Sequence, residues 1–176
     1  VKRKKDGIHT YGNVRRMVAK KAKAMEMEVW AYDPFVPAEK MQAEGVKPAA
    51  SIEELYSNCD YVSLHIPAND QTKNSINYEL LSKMPKGACL VNTARKEVIN
   101  EADMAKLLAE RTDFKYVTDI AAGNNDELAA FAPRYFATPK KMGAQTAEAN
   151  LNAGLAAANQ IVDFIKNGVT KFQVNK

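Results

Sequence analysis

Cysteine is scarce in this chain: Cys59 and Cys89 are the only two among 176 residues. Two thiols cannot build the disulfide framework of a small secreted domain. They also lack metal-ligand spacing with His9 and His65, the only histidines. No metal site is therefore expected, and the thiols read as reduced residues of a cytoplasmic protein. Long apolar runs are missing too. None approaches the roughly 20 residues of a membrane span, so no membrane partner is expected. The basic start lacks the apolar core of a signal peptide. Internal repeats and low-complexity segments are absent.

Acidic residues are rare only at the beginning. Lys2, Arg3, Lys4, Lys5, Arg15, Arg16, Lys20, Lys21 and Lys23 crowd this region, with Asp6 the one nearby acid, and the whole chain carries a net charge of +4. A nucleic-acid patch would need aromatic interleaving or a known motif, and neither is present. The expected reading is a solvated terminus plus the outer face of a first helix, with no nucleic-acid partner.

Against these absences stands an ordinary globular composition. With 46% hydrophobic and 26% charged residues, the chain can bury one sizeable core. Short apolar runs at residues 7–9, 28–33, 61–65, 88–92, 116–119 and 135–137 read as strands. Helical spacing fills residues 14–25. Ser51 precedes Glu54 as a capping box, while Asn77 and Asn100 are good N-caps for helices at 78–83 and 101–111. A long Ala-rich helix at 146–167 ends before Gly168. This alternation predicts an α/β fold, a Rossmann-type doubly wound parallel sheet forming a single domain over residues 1–176. The first strand is its weak point, because charged residues fill positions 2–6 of what should be a central strand.

Glycine is missing where that fold most needs it. The stretch from Gly7 through Arg16 reads as a dinucleotide-binding turn, with Asp33 following Gly12 by about twenty residues. The first glycine of such a turn permits the tight bend, the second lets backbone approach a pyrophosphate, and the third lets helix and strand pack closely. Thr10 and Arg15 occupy the first and third positions; only Gly12 remains. Arg15 is expected to disturb the helix–strand seam, and Thr10 is ill suited to any turn that needs positive φ. Restoring glycine at both should strengthen cofactor binding.

Further motifs follow in order: Ala31-Tyr32-Asp33-Pro34, Val62-Ser63-Leu64-His65-Ile66-Pro67, Leu90-Val91-Asn92-Thr93-Ala94-Arg95, Thr118-Asp119-Ile120, Thr138-Pro139 and Gly143-Ala144-Gln145-Thr146. With these, the chain resembles the D-2-hydroxyacid dehydrogenase family over nearly its whole length. The nearest likeness is to short D-3-phosphoglycerate dehydrogenases of serine synthesis. The resemblance implies the NAD-binding part of a two-domain oxidoreductase. Its substrate domain and preceding connecting helix would lie outside this chain, so the fragment alone should be inactive.

The resemblance also distributes roles. Arg95 would grip the substrate carboxylate and polarise the carbonyl, which suits its planar two-pronged fork; the plain alternative is a surface arginine. Lys140 or Lys141 stands where the family's acid/base histidine falls, depending on whether one counts from Pro139 or from Gly143. Such a lysine needs its pKa lowered to act near neutrality. The family's orienting glutamate falls near Asn124, Asp126 and Glu127, with Glu127 a weak candidate and an ordinary helix-start acid the plainer reading.

For the cofactor, Asn13 and Val14 would offer backbone N–H groups to the pyrophosphate, with Tyr11 and Gly12 of the same turn also in the cofactor-binding set. Asp33 would take the adenosine ribose hydroxyls and favour NAD over NADP. His65 and Pro67 would flank the adenine side. Thr93, Ala94 and Asp119 would serve the nicotinamide half, and Gly143 and Ala144 complete the set. A structural His65 competes with that role, and His9 reads as structural within its strand. The implied partners are a phosphorylated 2-hydroxy acid and a second copy in a homodimer. A non-catalytic NAD-sensing or partner-binding module is the alternative function.

Overall fold

The computed structural model describes residues 2–175, and of Asn13 only the backbone. The chain divides into two compact units, residues 1–140 and 141–176, which are described separately.

The first unit is built on seven parallel strands: β1 (Lys5–His9), β2 (Glu28–Tyr32), β3 (Lys47–Pro48), β4 (Tyr61–Leu64), β5 (Cys89–Asn92), β6 (Lys115–Thr118) and β7 (Tyr135–Ala137). Their order in the sheet is β3-β2-β1-β4-β5-β6-β7. Six helices connect them: α1 (Asn13–Ala24), α2 (Ala38–Ala43), α3 (Ile52–Asn58), α4 (Tyr78–Ser82), α5 (Glu101–Glu110) and α6 (Asn125–Ala129). The expected doubly wound α/β architecture is thus present. Strand order reverses between β1 and β4, the place where ligands bind in open parallel sheets.

Strand registers explain how the two faces are covered. Gly7 and His9 of β1 share a face with Val62 and Leu64 of β4, Leu90 and Asn92 of β5, and Tyr116 of β6. Against this face pack Leu55, Tyr56, Leu80, Leu81, Met104 and Leu107 from α3, α4 and α5, forming the larger core. Ile8, Val29 and Ala31 point to the other face, where Ala19 and Ala22 of α1 and Met41 of α2 close a smaller one. The predicted caps form: Ser51 Oγ, Asn77 Oδ1 and Asn100 Oδ1 each accept from a backbone N–H three residues on.

The charged first strand still sits at the centre of the sheet. It begins at Lys5, two residues earlier than its apolar pattern suggests. Lys5 carries its ammonium over the Trp30 ring, 5.4 Å from the centroid. Gly7 is required here, because a Cβ would stand 2.9 Å from the sulfur of Cys59, just past α3, and 3.3 Å from Leu55 within it. Asp6 is buried beside β4, and burial pushes its carboxyl up to about 6. Arg3, just before the strand, adopts a left-handed φ of 65°, which a glycine would take without strain.

Elements β3, α2 and α6 have no counterpart in the sequence-based expectation. Each is six residues or fewer, too short to show a period. The second unit consists of α7 (Ala147–Asn167) and the residues around it. Thr146 Oγ1 caps its start by accepting from Ala149 N, and Gly168 ends it at φ 65°. No helix among the described residues is long and apolar enough to cross a membrane.

Candidate cofactor cleft

Three strand ends build the cleft. The first turn of α1 supplies Val14 and Arg15 after β1. The segment after β4 supplies His65, Ile66, Pro67 and Ala68, and the segment after β5 supplies Thr93, Ala94 and Arg95. Together they enclose about 550 Å³ at the carboxyl edge of the sheet, at the reversal point of strand order. His65, Pro67, Thr93, Ala94, Arg95 and Val14, all nominated from sequence, therefore meet in one place.

Asp33 joins this edge from β2. Its Oδ2 accepts the backbone N–H of Tyr11 at 2.7 Å, and its Oδ1 accepts that of Phe35 at 2.9 Å. These bonds tie the acid to the turn before α1. A carboxylate has about four acceptor sites, so two remain for ribose hydroxyls. The Tyr11 side chain turns away from the cleft. It is buried, and its hydroxyl donates to Glu44 at 2.7 Å, a carboxylate that also pairs with Arg16 at 3.0 Å. With its hydroxyl on Glu44 and its backbone N–H on Asp33, Tyr11 acts on the cleft by positioning the acid.

The turn departs from both expectations about its missing glycines. Thr10 is not among the positive-φ residues, and Gly12 has φ −111°, so neither position asks for glycine on backbone grounds. Arg15 does not open the seam. By spacing it continues the face of Val18, Ala19 and Ala22, and the two alanines stay buried at 1% and 4% exposure. The guanidinium instead leaves that face at its top. Nη2 donates to the carbonyl of His65, and Nη1 lies where a Cβ of Gly12 would project. The missing Cβ at Gly12 is what admits it.

His65 is held by its ring, with Nε2 2.9 Å from Ser63 Oγ. Burial, with the Arg15 charge adding to it, pushes the imidazole down to about 4, so the ring is neutral at pH 7. His9 lies on the opposite face, with Nδ1 3.2 Å from the Tyr56 hydroxyl, and burial lowers it likewise to about 4. It belongs to the core.

Asn92 is a residue to which the sequence reading assigns no role. It is fully buried at the end of β5. Its Oδ1 accepts the Ala94 N–H at 2.9 Å, and its Nδ2 donates to the Arg95 carbonyl at 3.0 Å. One side chain thus shapes the whole 93–95 loop. Arg95 itself is exposed, donates from Nη1 to the Ala94 carbonyl at 3.1 Å, and pairs with no carboxylate among the described residues. Its remaining donors are free for an anion.

Asp119 follows β6, its N–H bonded to the Asn92 carbonyl at 3.2 Å. Glu127 is exposed and accepts from Asn124 Nδ2 at 2.9 Å across the first turn of α6. That is the geometry of an ordinary helix-start acid. Lys140 is the last residue of the first unit, while Lys141, Gly143 and Ala144 belong to the second. No group of three metal-ligating side chains occurs among the described residues.

A cleft at the strand reversal, an acid tied to the turn, a glycine at the close approach and a helix start facing in are the parts of a dinucleotide site. These residues fit a nicotinamide dinucleotide in kind. The class of protein they define is a Rossmann-type cofactor domain. Residues 1–140 match the family model for the D-isomer specific 2-hydroxyacid dehydrogenase NAD binding domain. The chain belongs to that family, and its cofactor is NAD.

Among similar proteins, the D-3-phosphoglycerate dehydrogenase of Haemophilus influenzae is 32% identical over 182 residues, covering 99% of this chain and 43% of that protein. The (S)-sulfolactate dehydrogenase of Chromohalobacter salexigens is 36% identical over 105 residues, covering 60% of this chain and 34% of that one. The crystal structure of NAD+-bound 3-phosphoglycerate dehydrogenase from Entamoeba histolytica superposes with a TM-score of 0.87 at 44% identity. That match covers 99% of this chain and 56% of the Entamoeba chain.

Proposed function

We propose that this chain is the cofactor-binding part of an oxidoreductase acting on a D-2-hydroxy acid, with 3-phosphoglycerate as substrate and serine synthesis as its setting. The observation that carries the reading is the meeting of Arg95 with the dinucleotide cleft. An anion-seeking guanidinium stands at the rim of a site whose other parts fit NAD. The D-3-phosphoglycerate dehydrogenases among its relatives support the substrate. A cytoplasmic location agrees with the two free, buried thiols.

In this reading NAD supplies the hydride acceptor or donor, and the chain's own residues bind and orient. Backbone N–H groups of Asn13 and Val14, beside Gly12, would meet the pyrophosphate, and Asp33, held by the Tyr11 N–H, would take the ribose. His65 and Pro67 would flank the adenine; Thr93, Ala94, Asp119, Gly143 and Ala144 would border the nicotinamide half. Arg95 would fork the substrate carboxylate. Lys140 or Lys141 would hold or release the proton of the substrate hydroxyl. A second copy would pair with it in a homodimer, with neither nucleic acid nor membrane as partner. One observation favours a non-catalytic sensing module instead: Arg15 already occupies part of the cleft.

The test is a titration with reduced cofactor. NADH should bind at least about tenfold more tightly than NADPH, because Asp33 would face the extra 2′-phosphate. The chain joined to a substrate-binding domain should then oxidise 3-phosphoglycerate with NAD. Equal binding of the two cofactors would remove the Asp33 assignment. Cofactor binding without turnover in the joined protein would favour the sensing module.

A further inference from the structure

We propose that Arg15 is an internal occupant of the phosphate end of the cleft. It makes this chain discriminate against ligands by their diphosphate rather than by their base. The proposal rests on the reading of the cleft as a dinucleotide site.

Three observations carry it. Arg15 stands in the first turn of α1, where the helix start turns its free N–H groups outward. Its guanidinium lies over Gly12, the one position of the turn where backbone is bare enough for a diphosphate to approach. It is also anchored there, because Nη2 donates to the His65 carbonyl across the cleft mouth, and Thr10 Oγ1 approaches the same carbonyl at 3.5 Å. The side chain is half-buried rather than waving in solvent. A diphosphate reaching Gly12 must first displace this group.

Simple electrostatics points the other way. A positive side chain beside a helix start should attract a diphosphate, and its removal should weaken binding. Position decides against that expectation. A guanidinium that lies on Gly12 itself excludes the atoms it would attract, and moving it strips the His65 carbonyl of a charge-assisted bond. An adenosine without phosphates needs no space over Gly12 and meets no such barrier.

The experiment compares the chain with its Arg15→Gly and Arg15→Met variants, titrating NADH, ADP-ribose and adenosine against each. Methionine keeps an unbranched chain against Val18 and Ala19 but cannot donate to His65, so it stands in should the glycine variant fold poorly. Both variants are expected to bind NADH and ADP-ribose about tenfold more tightly while adenosine binding stays unchanged. Weaker or unchanged NADH binding would overturn the proposal and leave the cofactor reading intact. An equal gain for adenosine would show a general opening of the cleft, and would overturn discrimination by the diphosphate. If none of the three proteins bound NADH or ADP-ribose, the cofactor reading itself would fall, and the proposal with it.

Discussion

Arg95→Ala should lower kcat/KM for 3-phosphoglycerate by about a thousandfold in the chain joined to a substrate-binding domain, equivalent to about 4 kcal/mol of transition-state stabilisation. The loss is large because, among the described residues, the one other arginine lining the cleft is Arg15, which is committed to His65. Arg95 is held at the rim by backbone geometry rather than by an ion pair. The 93–95 loop is shaped by Asn92 from within the core, so removing the guanidinium leaves the loop intact. NADH affinity should therefore change little while turnover collapses. Arg95→Lys should recover only part of the rate, since a point charge cannot fork a carboxylate. Steady-state kinetics beside an NADH titration separates these effects, and turnover that survives Arg95→Ala would refute the role.

Asp6→Asn should stabilise the protein by about 3 kcal/mol above neutral pH and by almost nothing near pH 4. In the folded state burial pushes the Asp6 carboxyl up to about 6, against about 3.9 in the unfolded chain. Between those values the folded protein binds the extra proton, so stability falls as pH rises through the window and stays low above it. The neighbouring apolar groups, Val18, Ala22, Met25 and Met27, offer the charge nothing; Tyr61 and Lys21 also line its hollow, and the Cys59 thiol is near enough to feel the carboxylate.

His9 and His65 act with the opposite sign. Both are held down to about 4, so their contribution is present above about 6.5, the unfolded value, and is lost as pH falls toward 4. Because they are common to both proteins, the difference between wild type and Asp6→Asn isolates the carboxyl. Urea unfolding across pH 4 to 8 measures it. A difference independent of pH would show that Asp6 is not titrating in the fold.

Most of the cleft is readable in the sequence because it depends on spacing. Gly12, Asp33, His65, Ala94 and Arg95 each follow a strand by a fixed short interval, and strands of alternating or continuous apolar residues announce themselves. What escapes the sequence depends on where long or polar side chains settle. Arg15 is placed correctly at the third glycine of the turn, but its flexible chain leaves the seam and folds over Gly12. Tyr11 lies in the motif yet sends its hydroxyl to Glu44, 33 residues away. Asn92 looks like one letter of a loop motif, and only its burial shows that it holds two backbone groups of the neighbouring residues. Asp6 and Lys5 argue against a central strand. The strand forms regardless, because parallel pairing on both sides and the close approach of α3 to Gly7 outweigh one buried carboxyl.

NAD should bind at the strand reversal, between the ends of β1, β4 and β5. Amide chemical-shift mapping with NADH tests it directly on the chain as it stands. The affected amides should cluster at residues 11–15, at Asp33, at 65–68 and at 93–95, with the opposite edge of the sheet unmoved. Shifts confined to other surfaces, or no shifts at millimolar NADH, would contradict it.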